Sequence, residues 1–296
     1  MNKPDSESLF LGVDGGGTRC RVRLSNGHGT ILGEAVRGGA NTRLGLEKIF
    51  AEITSAAFDA LDQASLPHSR IADIHAGLGL AGLALERERK LVRAYPHPFA
   101  SAVFETDAFT ACLGAHNGAD GAILIIGTGT CGQAIVGDTQ LAVAGWGFEI
   151  SDIGSGARIG KQALEKTLLA HENIGPATDL THQLMARFNN SPEEMVAFAE
   201  TARPSDYGQF TLAVFEALDN GDAIARDIVA QAKQANEQVL RRLLAFGAPK
   251  LTLMGGIAQR MADLMPDDIK NRLVPAAGDA LDGAILMAKR QQGESR

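Results

Sequence analysis

Cysteine is scarce in this chain: Cys20, Cys112 and Cys131 are odd in number and show no CxxC spacing. That excludes a disulfide framework and a cysteine-built zinc site, and leaves reduced thiols. Basic blocks are missing too. With a net charge of -7 and no Lys/Arg-rich run or basic stripe interleaved with aromatics, a nucleic-acid partner is excluded. The seven His residues are scattered, without an HExxH pattern or a close His/Asp/Ser set, so metal-hydrolase and triad-hydrolase chemistries lack their residues. No apolar run approaches membrane-spanning length, and Met1 to Glu7 has no basic region followed by an apolar core. The expectation is a chain with no membrane partner, located in the cytoplasm. What is left is an ordinary globular composition, 45% hydrophobic over 296 residues, with room for two domains.

Glycine is what the chain places tellingly. Asp14-Gly15-Gly16-Gly17-Thr18 follows the apolar stretch Leu9 to Val13 and precedes the alternating Cys20-Arg21-Val22-Arg23-Leu24, which reads as strand, turn and strand. Gly15, Gly16 and Gly17 leave N–H groups uncovered by side chains, and the Thr18 hydroxyl adds a donor. Asp14, at the strand end, offers a carboxylate where a phosphate-bound metal would sit. A second copy starts at Ala122-Ile123-Leu124-Ile125-Ile126, turns at Gly127-Thr128-Gly129-Thr130 and returns through Cys131 to Val136. Laying Gly17-Thr18 over Gly129-Thr130 puts Asp14 on Ile126, so two phosphate clamps share one metal anchor. A third turn, Gly255-Gly256-Ile257-Ala258, follows the apolar run Leu251 to Met254 and leads into a helix. Three such turns in this order point to one nucleotide gripped between two related halves.

Two other motif readings fail on their context. Gly127-Thr128-Gly129-Thr130-Cys131-Gly132 matches GxGxxG, but a strand follows where a dinucleotide fold needs a helix N-terminus on the pyrophosphate. Gly156 to Gln162 approximates a P-loop with too short a spacing, and Gln162 stands where the Mg²⁺-binding Ser/Thr belongs.

Coarse organisation follows the duplication. Residues 9 to 36 read as a β-meander with a hairpin turn at Asn26-Gly27-His28-Gly29. A helix spans about Leu46 to Gln63, its apolar Ile49, Ile53, Ala57 and Leu61 at four-residue steps. Strands at Ile71 to Leu80 and Ser101 to Glu105 alternate with helices at Leu85 to Ala94 and Ala108 to Ala115. The βββαβαβα order then restarts at Ala122 to Ala144. Helix-bearing sequence covers Gly154 to Ala170 and Ser191 to Asp219, a long amphipathic helix covers Ala223 to Phe246, and Asp282 to Arg290 closes the chain. The expected domains are 1–115 and 116–281.

The ordered motifs carry a resemblance. They are the first phosphate turn from Asp14 to Cys20, Gly38-Gly39-Ala40-Asn41, Thr106-Asp107-Ala108, the second phosphate turn from Gly127 to Thr130, and Ile150 to Ala157. Asp206-Tyr207-Gly208-Gln209-Phe210 and Leu253 to Ala258 complete the set. Over nearly its whole length the chain resembles the acetate and sugar kinase/heat-shock-70/actin superfamily, in the BadF/BadG/BcrA/BcrD ATPase branch that holds N-acetylglucosamine kinase. Within it, the chain is most similar to bacterial glucosamine kinases. The fold so implied is α/β: duplicated ribonuclease H-like (actin-like ATPase) domains, with a nucleotide and sugar cleft between them and the last helix returning to the first domain. The resemblance also implies ATP and Mg²⁺ as cofactors, a small amino sugar as the other substrate, and a homodimer.

Site residues are carried over on the same motifs. Gly16, Gly17, Thr18, Thr128, Gly129, Thr130, Gly208, Gly255, Gly256 and Ala258 are expected to bind ATP, and Asp14 to hold Mg²⁺ through water. Asp107 lies at a strand-to-helix junction, where a bland reading is an N-cap. In the similar sugar kinases the Asp here faces the attacking hydroxyl, so it is the expected base. The family has Asn before it, and Thr106 departs from that. Asn41, otherwise a turn former, and Asp152, otherwise a cap for the following helix, are expected to hold sugar hydroxyls. Trp146 is expected to wall the pocket, although a single Trp is also a core residue by default; Glu149 nearby has no assigned role. Carboxylates favour an amine at sugar position 2, whereas an N-acetyl group needs an apolar niche, and both acceptors stay open. An activator ATPase with an interface iron–sulfur cluster lacks its cysteine pattern here, and an operon regulator lacks its DNA-binding region.

Overall fold

The apolar run at Leu9 becomes the middle of a sheet because both of its faces find cover. The computed structural model describes residues 7–294. In it β1 (Leu9–Gly15), β2 (Cys20–Asn26), β3 (Ile31–Arg37), β4 (Ile74–Leu80) and β5 (Ser101–Thr106) form one sheet in the order β3-β2-β1-β4-β5. β1 to β3 run antiparallel, and β4 and β5 run parallel to β1. The hairpin between β2 and β3 closes with Gly29 N–H donating to the Asn26 carbonyl at 3.0 Å and Thr30 N–H to Asn26 Oδ1 at 2.9 Å.

Alternation along β1 sends Leu9, Leu11 and Val13 to one face, where α1 (Leu46–Gln63) brings Ile49, Ile53, Ala57 and Leu61 to meet them. On the other face Phe10 meets Ile285 and Ala288 of α12 (Ala280–Glu294). The apolar pattern is interrupted at Gly12 and Gly77, and the helix explains why. A Cβ at either position would run into the α12 carbonyls of Leu281 and Ala284. Gly114 of α3 (Asp107–Ala115) and Gly283 of α12 make the same close approach between two helices. α12 is longer than its apolar signal, and β4 starts three residues later than expected. Pro67 opens a 3-10 turn over His68–Asp73 that takes Ile71 out of the strand.

A second sheet holds β6 (Gly121–Ile126), β7 (Thr130–Val136), β8 (Thr139–Ala144) and β9 (Leu251–Met254) in the order β8-β7-β6-β9. Its first three strands repeat the order β3-β2-β1, and β9 flanks β6 as β4 flanks β1. This is the duplicated α/β arrangement. α2 (Glu86–Arg93) precedes β5. α4 (Gly156–His171), α5 (Asp179–Ala186), α6 (Pro192–Thr201), α7 (Pro204–Gly208), α8 (Thr211–Asp219) and α9 (Ala223–Ala245) lie between β8 and β9. α10 (Ala258–Leu264) and α11 (Asp267–Lys270) follow β9. α9 lays Val239 and Leu243 on Gly132 of β7. By contact, the chain divides into two compact units. One holds the described chain up to Ala122, residues 133–140 and everything described from Val274 on; the other holds residues 123–132 and 141–273. Among the described residues no helix is long and apolar enough to cross a membrane.

Gly77→Ala tests the helix-on-strand contact. The added methyl meets helix backbone, which cannot rotate away, so a loss of about 1–3 kcal/mol in urea unfolding is expected. Gly293→Ala, in the last turn of α12 with open space around it, should leave the midpoint unchanged or raise it.

Candidate active site

In the first unit three parallel strands end level: Gly15 of β1 pairs with Leu80 of β4, and Leu80 with Thr106 of β5. Loops leaving the carboxyl ends of such strands are where open α/β sheets bind ligands. The first glycine turn closes with Gly16 N–H donating to the Arg19 carbonyl at 2.9 Å, and Gly17 and Thr18 are exposed. Ala40 N–H donates to the Gly16 carbonyl at 2.9 Å, Ala81 N–H to Gly15 at 2.9 Å, and Thr42 N–H to Ala81 at 3.0 Å. This ladder seats Asn41 beside the turn. Its Oδ1 accepts from Arg43 N–H at 3.0 Å and caps the 3-10 turn Thr42–Leu44, which leaves its amide nitrogen as the donor for a ligand.

Asp107 is not an N-cap. Thr106 caps α3, its Oγ1 accepting from Phe109 N–H at 3.1 Å, and Asp107 is the first helical residue. The departure at Thr106 thus has a structural use, and Asp107 is released from capping. Its Oδ1 accepts from Ala108 N–H at 2.9 Å. Burial pushes its carboxyl above the ordinary aspartate range, the Ala108 N–H opposes the shift, and the charge of Asp14 adds to it.

Asp14 faces Arg21 across the hairpin. Nε at 3.0 Å and Nη2 at 2.6 Å both donate to Oδ2, which leaves Oδ1 on the other side of the carboxylate. No group of three or more His, Cys, Asp or Glu that could hold a metal occurs among the described residues. That fits Mg²⁺ all the same, because this ion keeps most of its waters and needs one or two carboxylates beside phosphate oxygens.

In the second unit the glycine segments converge on the end of β6. Gly127 N–H donates to the Gly129 carbonyl at 2.9 Å, Gly156 N–H to Gly127 at 2.8 Å, and Ile257 N–H to Ile126 at 3.3 Å. Gly255 has φ +100°, and a Cβ there would meet the Ile126 backbone. Beside them opens a cavity of about 570 Å³, within the usual size of a small-ligand site. Thr128, Gly208 and Gly256 line it. Gly129, Thr130, Gly255 and Ala258 do not: Ala258 is buried at the start of α10, and Thr130 is buried with Oγ1 lacking a partner. Sequence reasoning missed Phe215, Asp219 and Arg260. Arg260 lies 5.0 Å over the Phe215 ring and donates to Asp219 at 2.7 and 2.8 Å on the cavity wall. A cation two residues into the helix after the third glycine turn was the available signal.

Asp152 is not a cap either; Ser155 caps α4, its Oγ accepting from Arg158 N–H at 3.3 Å. Asp152 has φ +56° and is 9% exposed, its Oδ2 lying 2.9 Å from where a Gly129 Cβ would stand. Burial raises its pKa, while the Thr130 and Gly147 N–H groups and Arg158 favour the charged form. The carboxylate therefore sits on the second glycine turn. Trp146 is 62% exposed between Gly145 and Gly147, both at positive φ, so it is not a core residue.

Residues 11–283 match the BadF/BadG/BcrA/BcrD ATPase family. The chain belongs to that family. It is 39% identical to the glucosamine kinase GspK of Vibrio cholerae, over 96% of this chain and 97% of that one. A structure of a candidate N-acetylglucosamine kinase from Chromobacterium violaceum superposes with a TM-score of 0.86 at 30% identity, covering 96% and 100% of the two chains. An ROK hexokinase from Thermus thermophilus, at 18% identity and TM-score 0.60 over 96% and 99%, shares the fold.

The raised pKa of Asp107 makes the folded chain bind more protons than the unfolded one between about pH 4 and the folded-state value, so stability falls as pH rises through that window. Asp107→Asn should therefore unfold at higher urea than the parent at pH 7, with the gap closing below about pH 4. Equal midpoints at pH 7 would show that Asp107 carries no burial penalty.

Proposed function

We propose that the protein is an ATP-dependent amino-sugar kinase that phosphorylates the 6-hydroxyl of glucosamine. The observation that carries the reading is Asp107, a half-buried carboxylate of raised pKa beside the first glycine turn and Asp14. The likeness to a glucosamine kinase over almost the full length supports the choice of sugar. Asp107 accepts the 6-hydroxyl proton as that oxygen attacks the γ-phosphorus and the bond from phosphorus to the bridging oxygen of ADP breaks. In the first unit the Gly17 N–H and the Thr18 hydroxyl, and in the second the Thr128 and Gly129 N–H groups, are the turn donors left for phosphate oxygens. Asp14 Oδ1 would hold Mg²⁺ through water, and when bound this ion neutralises charge on the phosphates. The cavity lined by Thr128, Gly208 and Gly256 takes the nucleoside, with Arg260 and Phe215 as a flat wall. In the first unit the Asn41 amide is a donor for sugar hydroxyls, and in the second Asp152 is an acceptor for them with Trp146 as a wall. A cytoplasmic homodimer belongs to the same reading through the family resemblance.

N-acetylglucosamine is the second acceptor to consider, because Ile153, beside Asp152, and Ile150 are 57% and 84% exposed and offer apolar surface to an acetyl methyl. ATP consumption against glucosamine, N-acetylglucosamine, glucose and mannosamine decides it. Glucosamine should have the highest kcat/KM with N-acetylglucosamine next, and equal turnover of glucose would mean that the amine is not read.

Asp107→Asn keeps the size and the Ala108 contact, yet removes the base. A loss of roughly 10²- to 10⁴-fold in kcat is expected, with ATP binding retained. Asp14→Asn should instead raise the Mg²⁺ concentration needed for half-maximal rate. Near-normal turnover by Asp107→Asn at saturating sugar and ATP would remove it from the chemistry.

A further inference from the structure

Asn236 is a polar residue with no exposed surface, in the middle of α9, on a face otherwise formed by Ile228, Val229, Ala232, Leu240 and Leu243. A buried amide among aliphatic side chains costs stability unless its hydrogen bonds compensate. Asn236 makes one: Nδ2 donates to the Gly154 carbonyl at 3.1 Å, while Oδ1 has no partner. A residue serving only α9 would be better replaced by leucine.

Gly154 is no ordinary acceptor. Its φ is +91°, and a Cβ would stand 2.8 Å from the Ala232 carbonyl and 2.9 Å from Asn236 Oδ1, so the chain is pressed against α9 where only glycine fits. Two residues earlier Asp152 also has positive φ, an uncommon state for a non-glycine residue, and its carbonyl accepts from Ser155 N–H at 3.0 Å. A short turn with left-handed backbone at two of its residues must be held from outside. The Asn236 bond joins it to α9, and its other end rests Asp152 against Gly129 and Thr130.

We propose that Asn236 is a positioning residue for phosphoryl transfer: through Gly154 it holds the turn that carries Asp152 in place on the Gly127–Thr130 loop. It touches no substrate and acts through Asp152. The inference rests on the reading of Asp152 as an acceptor ligand. Its consequence is a change in acceptor KM with little change in kcat, because Asp107 and the phosphate donors are untouched.

The test is a double-mutant cycle on the full chain with glucosamine and ATP. Asn236→Ala is expected to raise acceptor KM about tenfold, the equivalent of one lost hydrogen bond, with kcat within about twofold. Asp152→Asn should raise it as well, and the double variant should be no worse than the worse single one, since both act at one place. Trp146, the chain's one tryptophan, lies on the same loop as Asp152, so its emission in Asn236→Ala should differ from the parent before any sugar is added. Should Asn236→Ala not fold, Asn236→Leu, which fills the space and has no donor, carries the same cycle. An unchanged KM for the Asn236 variant while Asp152→Asn raises it overturns the inference alone, as do effects that multiply in the double variant. An unchanged KM for Asp152→Asn itself overturns the reading of Asp152, and the inference with it.

Discussion

Main chain lying directly on main chain is the constraint from which the rest follows. α12 reaches the sheet at Gly12 and Gly77, and α3 at Gly283 and Gly114, because no side chain stands between the backbones. With α12 in place the carboxyl ends of β1, β4 and β5 are level, and the first glycine turn, Asn41 and Asp107 share one rim. The second unit uses the same device on a smaller scale. Gly255 packs on Ile126, and Gly39 on Gly17 in the first unit, so exposed N–H groups and the loops around them are fixed by backbone rather than by side-chain packing. A rotamer change cannot loosen such a contact.

Electrostatics then assigns different roles to similar residues. Asp14 and Asp107 are both carboxylates at strand ends, but Arg21 holds one oxygen of Asp14, whereas Asp107 Oδ1 accepts from the backbone N–H of Ala108. The paired one keeps Oδ1 clear of Arg21, on the side left for a hydrated metal. The half-buried one, beside the charge of the first, is pushed above the ordinary aspartate range, toward where a carboxyl can take a proton and release it. Arg260 is similarly restrained: Asp219 neutralises it, and what it presents to the cavity is a flat, stacked surface more than a free positive charge.

Much of the fold was legible because it follows from local pattern. The two strand–turn–strand copies, the hairpin at Asn26 and the helix from Leu46 to Gln63 all came from period and glycine placement. Where a cap was the competing reading, a neighbour holds it: Thr106 caps α3 in place of Asp107, and Ser155 caps α4 in place of Asp152. The reading slipped at β4, where Pro67 starts a 3-10 turn inside the expected strand. Cap preference is similar for Asp, Ser and Thr, so neighbours one to three residues apart cannot be ranked without backbone geometry.

The sequence by itself determined the duplicated α/β plan, the glycine turns and the residue types able to clamp phosphate, because these depend on contacts between near neighbours and on the conformational range of glycine. Only the tertiary structure decided which of those residues share a cavity, that Trp146 stands in solvent, and that Arg260 faces Phe215 and Asp219. It also decided that Asn236, 82 residues from Gly154, bonds to its carbonyl. The reason is the same in each case: burial, charge proximity and a hydrogen bond between distant segments are properties of where the chain returns, and no local pattern carries that information.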